Sequence, residues 1–175
     1  ALNLAITKNH TEIIQLLKDA GAKYPIKDAV AADDVSYVQK WITNDQEKDI
    51  NEINELLCIA SEEGNVEIVK VLLKAGGNVN HATTDGRTPL YQASQNGHLA
   101  IVKALLKAGG NVNQAETTNG CTPILIASLA GHTEVVRLLV QQPNIDLNKV
   151  AGGISILSRA KNDEIFCLLT NAGAK

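Results

Sequence analysis

Methionine is absent from this 175-residue chain, which holds only one Trp, one Phe and three Tyr. Aromatics make up 3% of the chain but apolar residues 45%, so small aliphatic side chains must fill any core. That suits closely stacked short helices, not a large cavity around a cofactor, and no cofactor is expected. No apolar stretch approaches the ~20 residues that span a bilayer, so no membrane partner is expected. Lys and Arg are spread along a chain of net charge −3, without the basic stripe that marks a nucleic-acid surface. The cysteines, Cys58, Cys121 and Cys167, are odd in number and far apart. This argues against a disulfide framework and points to a reducing, cytoplasmic compartment. Residues 1–20 show no charged start followed by an apolar block and a cleavage site, so no secretory signal is expected. The chain begins at Ala1 within a helix-like stretch, which suggests a piece of a longer protein.

Internal repetition is prominent. Residues 85–113 read DGRTPLYQASQNGHLAIVKALLKAGGNVN, and 119–148 read NGCTPILIASLAGHTEVVRLLVQQPNIDLN. Gly86 maps to Gly120, Thr88-Pro89 to Thr122-Pro123, Ala93 to Ala127 and Gly97-His98 to Gly131-His132, each at an offset of 34. Residues 60–80 match 93–113 at an offset of 33. Weaker copies lie at 10–22, 29–42 and 164–174. The whole chain, 1–175, thus reads as a single domain of about six units: 1–23, 24–50, 51–82, 83–115, 116–150 and 151–175.

Each unit predicts two helices. Thr88 and Thr122 are placed to cap a helix N-terminus, with Pro89 and Pro123 at the first helical position, where a missing N–H costs nothing. The first helix is expected over 88–96, ended by Gly97 or its counterpart Gly131. In the second, Ile101, Val102, Leu105 and Leu106, like Val135, Val136, Leu139 and Val140, fall on one broad face. Gly76-Gly77 and Gly109-Gly110 stop that helix, and Thr83-Thr84-Asp85-Gly86 predicts an outward hairpin-like loop. A lone unit cannot bury its apolar face, so stability must be shared along a stack. Ala60, Ala93 and Ala127 suit the close approach of successive first helices.

Two units depart from the pattern. From Asn9 to Asp33 is only 24 residues, which cuts the hairpin to something like Ala22-Lys23-Tyr24-Pro25. Either Tyr37 and Trp41 fill the space of a missing loop, or residues 24–50 are a degenerate repeat with a local kink. The last unit has Gly152-Gly153 in place of Thr-Pro.

The motif Thr-Pro-Leu-Tyr-Gln-Ala at 88–93 resembles the ankyrin signature, and its period is the family's own. The resemblance covers nearly the whole chain, strongly from about 56 to 148. It implies an all-α fold, an α-solenoid of ankyrin-type helix–loop–helix repeats linked by hairpin-like loops. It also implies a protein–protein interaction scaffold that binds a protein or peptide on its concave face. Carried over residue by residue, the contacts would be hairpin-tip residues Glu52 and Asn54, then Thr84, Asp85 and Arg87, then Thr118, Asn119 and Cys121. On the first helices they would be Glu62 and Glu63, Gln95 and Asn96, then Leu129 and Ala130. This row runs from acidic to polar to apolar, which suits an amphipathic or basic-flanked peptide. The alternative is a regulatory or targeting segment of a larger multidomain protein, such as an enzyme or a bacterial effector acting in the host cell cytosol. A monomer is expected. End-to-end self-association is the alternative, because both ends still show Ile, Leu or Phe where terminal units carry polar outer faces.

Catalysis is not expected. His98 and His132 lack converging Cys or carboxylate ligands for a metal, and the resemblance makes them structural residues that hydrogen-bond near the hairpin. Cys58 and Cys167 read as buried, inert thiols, whereas Cys121 replaces Arg87 near a loop tip and should be more exposed. Glu62-Glu63 and Asp33-Asp34 read as solvated acidic faces. The Gly-Gly pairs end helices instead of opening them, the wrong place for a phosphate cradle.

Overall fold

The computed structural model describes residues 25–44, 49–149, 151–153 and 155–175. The expected first unit, 1–23, and most of the shortened hairpin at 22–25 lie outside the described residues. Nine α-helices are described: α1 (Ile26–Ala31), α2 (Val35–Asn44), α3 (Ile50–Glu63), α4 (Val66–Lys74), α5 (Pro89–Gln95), α6 (Leu99–Lys107), α7 (Pro123–Ala130), α8 (Thr133–Leu139) and α9 (Asp163–Asn171). A 3-10 turn at Leu157–Arg159 precedes α9.

The helix starts follow the local chemistry. Thr88 is extended, and its Oγ1 accepts from the Tyr91 N–H at 3.1 Å, with Pro89 in the first turn. Thr122 has the same backbone conformation but makes no side-chain capping bond, contrary to expectation, so Pro123 and the extended backbone set the start of α7. Gly64 and Gly131 end α3 and α7 in the left-handed region.

Successive units pack in two layers. The first helices form one row, α1 on α3, α3 on α5, α5 on α7 and α7 on the 3-10 turn. The second helices form the other, α2 on α4, α4 on α6, α6 on α8 and α8 on α9. Ala60, Ala93 and Ala127 are fully buried in the first row, where a larger side chain would force the helices apart. Leu57, Leu72, Leu90, Ile101, Leu105, Ile124 and Leu139 are fully buried between the rows. Each such side chain contributes roughly 1.5–3 kcal/mol of apolar burial.

Apolar burial has no direction, so register must come from polar seams, and two of these run along the described residues. On the hairpin side an asparagine ladder runs along the stack. Asn54 Oδ1 accepts from Asn78 N at 2.7 Å, Asn80 Oδ1 from Asn111 N at 2.7 Å and Asn113 Oδ1 from Asp146 N at 2.9 Å. Asn80 Nδ2 gives to the Gly109 carbonyl and Asn113 Nδ2 to that of Asn144, at 3.2 and 2.7 Å. Asn148 Oδ1 closes the ladder on Lys175 N at 3.0 Å. At the opposite end of the helices, His98 Nε2 meets the Glu62 carbonyl and His132 Nε2 the Gln95 carbonyl, each at 2.9 Å. These histidines bridge units as expected of structural residues, but far from the hairpin. They stand at the N-caps of α6 and α8, so they can reach only the C-terminal ends of the preceding unit's first helix.

The irregular units differ as their sequences require. Residues 26–44 form a helix pair, with Tyr37 and Trp41 partly buried against the core. In the next unit α3 runs for 14 residues against 7 in α5, absorbing the expected hairpin tip. Ile53 stands where Gly86 turns the next hairpin, no Thr-Pro follows, and the Asp49 carboxylate caps the helix early by accepting from Asn51 N at 2.9 Å. Glu52 and Asn54 are therefore helical, not at a tip, and Asn54 is buried by its ladder role. In the last unit Gly152 and Gly153, both at positive φ, give no helix start, and its first helix shrinks to the 3-10 turn. In α9, Ile165 and Leu169 take the inward face and leave Phe166 47% exposed. Cys167 shares that outward side and is exposed, which corrects its expected burial.

Candidate interaction surface

The first helices present equivalent positions at the repeat spacing. Glu62 and Glu63 are exposed at the end of α3. In α5 and its cap, Gln95 is half-buried and Asn96 exposed. In α7, Leu129 is 41% exposed and Ala130 is exposed. One helical turn earlier stand Ile59, Gln92 and Ile126, half-buried at 59 and 126 and buried at 92. Sequence reasoning singles out Ile126, with Leu125, as an apolar strip in α7 but misses Ile59 and Gln92, although a spacing of three from Glu62, Gln95 and Leu129 places all three on the same helix face.

A groove of about 510 Å³ opens where α3 faces the hairpin of the next unit. Its walls include Glu55, Ile59, Glu62, His81, Thr84 and Gln92. Of the residues expected at the surface, Glu62 and Thr84 meet here, while Glu52 and Asn54 take no part.

Two hairpin tips are built. In the first, Arg87 N gives to Thr83 Oγ1 and the same hydroxyl gives to the Arg87 carbonyl, both at 3.1 Å. Asp85 pairs with the Arg87 guanidinium at 2.8 Å, and that group lies 5.8 Å from the Tyr91 ring centre. Thr84 points outward, and Asp85 and Arg87 are half-buried by this pairing. The tips are coupled, because Thr117 N gives to the Asp85 carbonyl at 2.9 Å.

The second tip is organised by a buried carboxylate. Glu116 accepts from Thr118 N at 2.6 Å, Asn119 N at 2.7 Å and Cys121 N at 3.1 Å. Burial alone would raise its pKa, but these backbone donors outweigh it and hold the carboxyl below its ordinary value. Thr118 and Asn119 are exposed by this turn, whereas Cys121 is only 6% exposed. The expectation that Cys121 is exposed fails because the turn around Glu116 directs it inward at the entry to α7.

A depressed carboxylate contributes stability that is full above its unfolded value, about 4.3, and is lost as pH falls through the folded value. Glu116→Gln removes one acceptor oxygen and is expected to cost about 1–3 kcal/mol at neutral pH. The gap in melting temperature from the wild type should close as pH falls below the ordinary glutamate value and through the depressed one. A gap independent of pH would show that the carboxylate does not organise the tip.

The thiols divide sharply. Burial pushes Cys58 up to about 12 and raises Cys121. Only Cys167 is exposed. An aromatic disulfide reagent should therefore titrate one thiol per native chain and all three after unfolding, and fast native reaction at Cys121 would contradict its placement. Among the described residues no three His, Cys, Asp or Glu side chains form a group that could hold a metal ion, and no helix is long and apolar enough to cross a membrane.

Comparison with known families agrees with this architecture. A family model described as Ankyrin repeats (3 copies) matches residues 26–116, and one described as Ankyrin repeat matches 119–151. No curated protein matches the chain.

Proposed function

Because the chain belongs to the ankyrin repeat family, whose repeats generally mediate protein–protein interaction, we propose that it is a scaffold binding a partner protein or peptide across its first helices and hairpin tips. The observation that carries this reading is the graded row at the repeat spacing. Glu62 is charged and exposed, Gln95 polar, and Leu129 a large apolar side chain left 41% open. A Leu held open in this way gains if a partner covers it, by roughly 25 cal/mol per Å² of apolar area removed from water. Ankyrin domains are typically non-catalytic, and non-enzymatic binding is the function proposed here.

The test combines Glu62→Arg, Gln95→Arg and Leu129→Arg in one chain. His132 uses only the backbone carbonyl of Gln95, so the inter-unit seam survives the change. Partners captured by the wild type and identified by mass spectrometry should bind the triple variant at least ~100-fold more weakly, by the loss of several central contacts, with helix content by circular dichroism unchanged. Retained affinity would move the binding face elsewhere.

A further inference from the structure

The groove beside α3 carries two carboxylates, Glu55 and Glu62, on one wall, with His81 and Thr84 on the other. Glu55, Ile59 and Glu62 stand at spacings of four and three along one face of α3, an acid–apolar–acid stripe. Among the described residues no cation pairs with Glu62. Gln92 Nε2 reaches its Oε2 at 3.3 Å. That bond fixes the amide, because the reversed orientation would turn oxygen on carboxylate. Gln92 Oε1 is then left without a hydrogen-bond partner, in a residue only 6% exposed. An acceptor so placed costs free energy until a donor arrives. Across the stripe, Glu55 is held by Lys27 at 2.6 Å, but both side chains are more than half exposed, so the pair is weak and exchangeable.

We propose that this groove receives one arginine side chain of the bound partner. The inference rests on the reading of this face as protein-binding and names the chemistry it selects. The aliphatic stem would lie on Ile59, and the guanidinium fork would give to the Glu62 carboxylate and, with a turn of the Gln92 side chain that opens its solvent-closed Oε1, to that oxygen as well. A planar fork with five donors and weak hydration serves two separated acceptors better than the compact, strongly hydrated ammonium of lysine. The space, about 510 Å³, holds such a side chain and part of its backbone. Acidic or phosphorylated segments are disfavoured by the Glu62 carboxylate, which no cation among the described residues offsets.

The probe is a random-peptide phage library selected on the full chain. Enriched peptides are then measured by calorimetry against the wild type, Glu62→Gln, Gln92→Met and Leu129→Arg. Arginine should be enriched at one position. Its replacement by Ala and Glu62→Gln should each weaken binding about tenfold or more, and the two should be non-additive in combination. Gln92→Met should weaken binding without lowering the melting temperature, since removal of the unpaired buried acceptor offsets loss of the long 3.3 Å bond to Glu62. Peptides that depend on Leu129 but ignore Glu62, or that carry no basic residue, would overturn the arginine groove and leave the binding face standing. Enrichment of lysine with equal affinity for both residues would overturn the preference for the fork. Peptides indifferent to both Leu129 and Glu62, or no enrichment at all, would count against the groove and the face together.

Discussion

Gly97→Ala is expected to destabilise the array by about 2–4 kcal/mol, although it adds one methyl group at a surface turn. Two costs combine. Gly97 has φ +75°, a left-handed conformation that costs an L-residue about 1–2 kcal/mol. The new Cβ would also stand 2.5 Å from His132 Nδ1 and 2.7 Å from Cε1, far inside contact distance. The ring would have to leave, and with it the 2.9 Å bond to the Gln95 carbonyl. For a chain of this size the loss corresponds to a fall in melting temperature of roughly 5–15 °C. In a His132→Ala background the clash is gone, and Gly97→Ala should then cost only the backbone term of about 1–2 kcal/mol. Equal costs in the two backgrounds would sink the account. Gly64, with φ +91° and a Cβ position 2.8 Å from His98, makes an independent copy of the experiment one unit earlier.

Asn113→Ala tests the opposite seam. Asn113 bonds two backbone groups of the next unit, accepting from Asp146 N and giving to the Asn144 carbonyl. Truncation should cost about 1–3 kcal/mol, because both partners lose a bond. Where it acts is more diagnostic than how much. In a stack each unit touches only its neighbours, so weakening one interface loosens what lies beyond it. Hydrogen exchange read by mass spectrometry should show α8 and α9 losing protection first, with α3 and α4 retaining theirs. A uniform loss of protection would show that the ladder does not couple units one by one. Asn113→Asp keeps the acceptor and loses the donor, so it should fall between wild type and Ala.

Much of the fold is legible in the chain because the signals are local. Thr88-Pro89 starts a helix, a glycine at positive φ ends one, and apolar spacing of three and four marks the buried side; each acts within a few residues. The repeat offset of 33 to 34 does the rest by showing that the units are alike. Even the extension of α3 has a local signature, the Asp49 cap and the Ile53 that replaces a turn glycine, though it stands out only beside the neighbouring units.

The candidate interaction surface is less legible, because exposure depends on which polar partner each side chain finds in the folded stack. Asn54 and Cys121 occupy positions that are tips by alignment, yet one is drawn into the ladder by Asn78 and the other turned inward by the loop around Glu116. Cys167 matches a buried helix and faces out, since Ile165 and Leu169 already fill the contact with α8. The groove is the clearest case: Glu55, Ile59 and Glu62 come from one unit and His81, Thr84 and Gln92 from beyond its second helix. The scarcity of aromatics and the spacing of Gly, Pro and Thr determine a stack of small-residue helices; only the stacking decides which polar groups are spent holding units together and which stay open at the surface.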